Sequence, residues 1–301
     1  MTPRTTTPLP KRSSTDIQTL GVVSFLNALP LYDSLTGRDD LAIIPAVPSQ
    51  LYAMLADERC DVALLPIVDY WLARDRLAQV SDACIASDGE TMTVRIFSKT
   101  PPDRIKRLHV DGDSHTSVVL ARLIWLELYA TRLDLVPRAA DSAHPAPADD
   151  LSQNCGTGVS PVIRHGRDAR ATGGLGIGTE QVEAVLLIGD KVVRESRRGF
   201  GFEVDLAAAW KHLTGLPFVF AAWYGAKDRD HTAVAAMLQT ARDAGMTQID
   251  RIAAEQAPRH GWPEDAALRY LRDIMVYTLT DDMRAAMDHF FKLAAKHGLL
   301  S

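Results

Sequence analysis

Uncharged side chains that can hydrogen-bond stand at the ends of several apolar runs in this chain. Ser24 and Asn27 lie in GVVSFLNALPL, residues 21–31. Val22, Val23, Phe25 and Leu26 favour a strand there, and Pro30 cannot continue its ladder. Polar groups at the C-terminal end of a first parallel strand sit where open α/β sheets bind ligands. A buried strand ending in an ordinary Asn turn is the plain alternative. Ser87 follows a strand-like run and precedes Gly89, and taken alone it reads as a turn serine. Ser114, Thr116 and Ser117 open a long helical pattern in DSHTSVVL. A cap needs one hydroxyl. Three in four positions favour a carboxylate cradle at the positive end of a helix. Asp190 closes VLLIGD, where a helix cap, a hinge hydrogen bond and a ligand contact are equally good uses for it.

Other chemistries lack their residues. GGLGIG, residues 173–178, does not follow a clear strand and is rejected as a phosphate loop. No GxSxG, HExxH, P-loop or Cys/His cluster occurs. His109, His115 and His212 are single histidines, read as surface or core residues. Cys60, Cys84 and Cys155 have unrelated spacings, which gives neither a disulfide framework nor a zinc site and points to a reducing compartment.

The 301 residues suffice for one large or two medium domains, with 47% hydrophobic and 24% charged residues, as in ordinary globular enzymes. A net charge of −5 without a basic run argues against nucleic acid as a partner. No apolar run approaches the roughly 20 residues of a membrane helix. Residues 1–16 are rich in Thr, Ser and Pro, lack an apolar core, and read as a disordered leader.

The elements that must hold these side chains begin as strand, helix, strand, helix, strand over residues 21–67, a parallel α/β start. Ser49 is expected to cap the first helix. Strands follow at 80–86, 91–98 and 107–110, then the long helix from Ser114. A buried strand at 182–188 and an amphipathic helix over 203–213 come next, with a strand at 217–223. From Asp228 onward the pattern reads as entirely helical, at 231–244, 248–256, 264–277 and 281–296. This order predicts two α/β lobes joined by two crossings, with ligands in the cleft between them. Lobe I is expected to comprise 17–97 and 222–301, and lobe II 98–221. Residues 138–179 show no sustained periodicity. Within them, 156–174 resembles the translation of a dispersed repeated DNA element, so about 144–174 is expected to be a disordered insertion.

SFLNALPL, DVALLPIVDY, IASDGETMTVRIFS, DSHTSVVL, VLLIGD and VDLAAAWKHLTGLPFVFAAW occur in that order. Together they resemble the chorismate dehydratases of the futalosine route to menaquinone. The resemblance runs from about Thr19 to the C-terminal helices. It implies a two-lobed fold of the type 2 periplasmic-binding-protein kind, with a two-strand hinge and a helical C-terminal tail. It also implies a cytoplasmic hydro-lyase with no metal or cofactor, whose partner is dianionic chorismate. Asn27 and Ser87 match the residues held to act on the substrate, with Ser24, Ser114, Thr116, Ser117 and Asp190 expected to bind it. Phe25, Thr91 and Thr93 depart from the family's usual Tyr, Val and Ser. The sister dihydroxynaphthoate synthases share the fold but rely on a histidine, and no histidine here stands in a matching motif. A non-catalytic cytosolic solute-binding protein is the other alternative.

The chemistry suits such residues. Removing the C3 proton of chorismate drives charge into its ring carboxylate, and loss of the C4 hydroxyl makes the ring aromatic. Neutral donors aimed at developing charge serve that reaction. No side-chain base stands out, so the substrate's own enolpyruvyl carboxylate is expected to take the proton, oriented by Asn27.

Overall fold

The computed structural model describes residues 18–138, 164–165, 182–195 and 199–300. The expected leader and most of the expected insertion lie outside the described residues. Strand β1 (Gln18–Val23) stops seven residues before Pro30, which the sequence placed at its end, and the 3-10 turn at Leu26–Leu31 takes that proline inside it. Strands β2 (Leu41–Ala46) and β3 (Val62–Pro66) flank helix α1 (Pro48–Ala56) and both pair with β1 in parallel. Ser49 does not cap α1. Pro48 takes the first helical position, where its missing N–H costs nothing, and Val47 is the capping residue.

Helix α2 (Ile67–Ala73) leads to the long strand β4 (Leu77–Ser87). The chain then enters a second sheet through β5 (Val94–Ser98) and β6 (Arg107–Val110). Helix α3 (His115–Tyr129), β7 (Asp134–Pro137), the two-residue β8 (Arg164–His165) and β9 (Ala184–Ile188) follow. The second lobe closes with α4 (Lys191–Arg194), β10 (Phe202–Asp205) and α5 (Leu206–Thr214). Strand β11 (Phe218–Ala226) returns to the first sheet, antiparallel between β3 and β4. Helices α6 (Thr232–Thr247), α7 (Ile249–His260) and α8 (Glu264–Arg269) form the tail. It ends with a π-helical turn (Tyr270–Ile274), β12 (Met275–Thr278) and α9 (Asp281–Lys296).

The sheet orders are β12-β4-β11-β3-β1-β2 and β7-β6-β9-β5-β10-β8. Sheet membership puts both crossings earlier than the expected 97/98 and 221/222. They run through residues 88–93 and from α5 into β11. The expected helix over 203–213 begins as a strand, because Phe202–Asp205 completes the ladder beside β5. Asp205 then caps α5, accepting from the Ala207 and Ala208 N–H groups. The expected helix over 264–277 stops at Arg269. Met275–Thr278 instead pair with the otherwise open edge of β4, with Met275 opposite Ser87. Within the expected insertion, Arg164 and His165 pair with β10.

Apolar residues of both sheets join in one core that includes the fully buried Trp125, Trp210 and Trp223. Strand β9 shows how alternation divides the second sheet. Its Ala184, Leu186 and Ile188 face the main core, while Val185 and Leu187 face a small cluster with Phe97 and Val192. Gly245 in α6 seats the turn that carries Asn27. A Cβ at that position would overlap the Pro30 backbone carbonyl, so only glycine allows the helix and turn to approach so closely.

Candidate active site

Most of the polar residues singled out in the sequence are sealed from solvent, and Asp190 and Thr116 accept from backbone N–H groups of the opposite lobe. Asn27 is 9% exposed, Ser87 0%, Ser114 8% and Asp190 4%. The lobes are therefore closed over these groups. Open depressions on the first lobe, one between Trp71, Arg74 and Phe291 and one between Arg38, Val234 and Met237, contain none of them.

Asn27 sits in the 3-10 turn beyond β1, and its Oδ1 has no partner. Ser24 is half-buried at the end of the same strand, with its N–H bonded to the Ala46 carbonyl. The Leu26 N–H points at Asp190, 3.3 Å from each carboxylate oxygen. Asp190 also takes the His260 Nδ1 at 2.7 Å and the Trp262 Nε1–H at 2.9 Å. One carboxylate from the second lobe thus holds the Asn27 turn and the C-terminal tail together. Of the uses open to Asp190 in the sequence, the hydrogen-bonded clamp between lobes matches this geometry.

Ser87 ends β4, and its hydroxyl reaches the Gly89 carbonyl at 3.4 Å. The crossing that follows is held by Asp205, whose carboxylate accepts from the Thr91 and Met92 N–H groups at 2.9–3.2 Å. Burial raises the Asp205 pKa, and the Arg95 guanidinium and the Ala208 and Thr91 N–H groups counter it. Met92 adopts a φ of +61°, a left-handed conformation costly for a side chain of its size. Such strain persists only where the surroundings impose it, and the Asp205 anchors do so. The result presents Thr93 inward, its Oγ1 2.7 Å from the Tyr270 hydroxyl.

Tyr270 was not singled out from the sequence, where it falls inside an apparently continuous helical run. It occupies the first position of the π-helical turn, 1% exposed, with its ring stacked on Trp262 at 4.9 Å. Burial drives its pKa up, while the hydrogen bond to Thr93 draws it back. The phenol therefore stays protonated.

The α3 hydroxyls have partners of their own. Ser114 Oγ caps the helix by accepting from the Ser117 N–H, and the two serine hydroxyls lie 3.0 Å apart. Thr116 Oγ1 accepts from the Val68 N–H at the start of α2, in the other lobe. A hydroxyl both donates and accepts. The serine pair shares one hydrogen and keeps a second, and Thr116 keeps its own, so the cluster caps the helix and retains donors for an anion. His115, read as a single histidine, pairs with Asp69 across the lobes at 2.6 Å. That hydrogen bond raises its pKa. The Ser49 N–H completes this seam by donating to the Asp113 carbonyl.

Known structures share this architecture. A protein from Archaeoglobus fulgidus superposes with a TM-score of 0.68 at 16% identity, covering 96% of this chain and all of the other. The periplasmic aliphatic sulphonate binding protein of Escherichia coli gives a TM-score of 0.56 at 14% identity, covering 95% and 94%. Two α/β sheets with a polar seam between them thus define a two-lobed protein of the periplasmic-binding-protein-like fold. A family model described as menaquinone biosynthesis matches residues 18–152 and 175–296, passing over a stretch inside the expected insertion. The chain belongs to that menaquinone biosynthesis family. The chorismate dehydratase of Thermus thermophilus is 25% identical over 259 residues, covering 80% of this chain and 82% of that relative.

Proposed function

We propose that this protein dehydrates chorismate to 3-[(1-carboxyvinyl)oxy]benzoate. The observation that carries the reading is that the neutral hydrogen-bonding groups Asn27, Ser87, Thr93 and the three α3 hydroxyls are all buried, with Thr116 accepting from the Val68 N–H across the lobes. Similarity to a relative named as a chorismate dehydratase supports it.

Dehydration breaks the C3–H and C4–O bonds, forms the third ring double bond, and releases the proton and hydroxide as water. Charge grows on the ring carboxylate as the proton leaves. Fixed donors in a site shielded from water stabilise that charge more than mobile water does, because they need not reorganise. The α3 hydroxyls hold a carboxylate, Ser24 adds a polar contact, and Asn27 and Ser87 act on the reacting part of the substrate. Asp69 and Asp190 are each tied to a histidine. The enolpyruvyl carboxylate of the substrate takes the C3 proton. Asp190 closes the lobes around the substrate rather than touching it, since a further anion there would oppose a dianion. A cytoplasmic location accords with the buried free thiols of Cys60 and Cys84.

The test is incubation of the purified protein with chorismate, followed by identification of the product by NMR and mass spectrometry. Formation of the aromatic enol ether is expected. Tight chorismate binding without turnover would favour a binding protein. Turnover only of a later intermediate would favour the sister enzyme class.

A further inference from the structure

Asp111 and Asp113 stand just before the hydroxyl cluster of α3, in the loop that ends at the capping Ser114. Two carboxylates there oppose the binding of an anion, and they do so most strongly where water is excluded. Lys191, the first residue of α4, answers them. Its Nζ donates to Asp111 Oδ2 at 2.6 Å and to Asp113 Oδ2. Side-chain exposure is 9% for Asp111, 15% for Asp113 and 26% for Lys191. Burial lowers the Lys191 pKa, but the two hydrogen bonds outweigh it and leave the value raised, so the amine stays charged. The Asp113 N–H closes the loop on Asp111 Oδ1 at 3.1 Å, and the Asp113 carbonyl accepts from the Ser49 N–H of the first lobe. The residue before Lys191 is Asp190, the clamp on the Leu26 N–H. Gly189 opens this corner at a φ of +59°, where a Cβ would overlap the Phe25 ring. Adjacent residues of one corner thus grip the Asn27 turn and the α3 loop.

We infer that Lys191 is a positioning residue for substrate binding, whose ammonium offsets Asp111 and Asp113 and holds their loop so that the N-terminal end of α3 accepts a carboxylate. The inference rests on the function proposed above. Chorismate brings two carboxylates, and an uncompensated charge in the loop opposes both. Like charges set against each other at a binding surface cost affinity and reject the ligand. With Lys191 in place, the loop presents its backbone and the α3 hydroxyls, and half of its negative charge is neutralised at hydrogen-bond distance. Lys191 acts on the substrate through these aspartates and does not touch it. The effect therefore falls on binding, while the reacting end at Asn27 and Ser87 is left as it is.

Lys191→Met keeps the apolar stem and removes the charge. Its KM for chorismate is expected to rise about tenfold or more, with kcat changed less than about threefold. Adding Asp111→Asn and Asp113→Asn removes the charges that the lysine offsets. That triple variant is expected to return to within about threefold of the wild-type KM. A lysine that only braced the loop would leave the triple variant as impaired as Lys191→Met, and that result would overturn the inference. A Lys191→Met KM within about twofold of wild type would overturn it too. Asp113→Asn alone keeps the lysine paired with Asp111 and serves even if Lys191→Met does not fold. Its KM is expected to fall by about twofold or more, and an unchanged or higher KM would count against the proposal. A wild-type protein that does not dehydrate chorismate would overturn the functional reading and this inference together. Active wild type with an unimpaired Lys191→Met variant would overturn this inference alone.

Discussion

The backbone N–H of Leu26 and the carboxylate of Asp190 meet across the lobes at 3.3 Å, next to the residue we place at the reacting end of the substrate. The same carboxylate holds His260 and Trp262. Asp190→Asn keeps the size but replaces one acceptor oxygen by a donor that faces other donors. Leaving a buried donor unsatisfied costs about 1–3 kcal/mol. The variant is expected to unfold at a lower denaturant concentration and to show a higher KM, because closure now lacks its clamp. Equilibrium unfolding and steady-state kinetics check this. Unchanged values for both would remove Asp190 from closure.

Gly245→Ala tests the seat of the Asn27 turn. The obstacle to a Cβ is the Pro30 backbone, which cannot rotate aside as a side chain would. Overpacking of this kind costs about 1–3 kcal/mol. We expect lower stability in thermal melts together with reduced turnover, since the displaced turn carries Asn27. An alanine variant as stable as wild type would show that the helix and turn separate freely.

The His115–Asp69 pair sets a pH dependence. Its hydrogen bond raises the His115 pKa above the ordinary value of 6.5. A group whose folded pKa is raised stabilises the fold fully below its unfolded pKa. That contribution is lost as pH climbs through the folded value. His115→Gln should therefore melt below wild type at pH 6, with the gap narrowing toward pH 9. His115 is about half exposed, so the effect is small and sensitive to salt. A gap that widens with pH would contradict the assignment.

Asn27→Ala and Ser87→Ala address turnover directly. Loss of Asn27 is expected to lower kcat by about two to three orders of magnitude, the range for removing one group that stabilises a transition state. Asn27→Asp should be similarly poor, because it sets an anion against a dianionic substrate. Ser87→Ala should lower turnover while the thermal midpoint stays near wild type. Near-wild-type rates in either alanine variant would exclude that residue from the reaction.

The sequence by itself determined the parallel opening of the first sheet, the end of β4 at Ser87, the capping serine of α3, and the two-lobe order. These are signalled by nearest neighbours in the chain: apolar period, a Pro that cannot pair, a hydroxyl before a helix. The tertiary structure decided what those residues touch. Leu26 and Asp190 are 164 positions apart, and Thr93 and Tyr270 are 177 apart. No local pattern names such partners. Strand β12 was hidden for the same reason. A four-residue apolar run fits either period, and pairing with the edge of β4 chose the strand. Tyr270 reaches the site only because α8 gives way to a π-helical turn and then that strand. Local propensity constrains each element, whereas long-range hydrogen bonds and packing decide which atoms of distant elements meet.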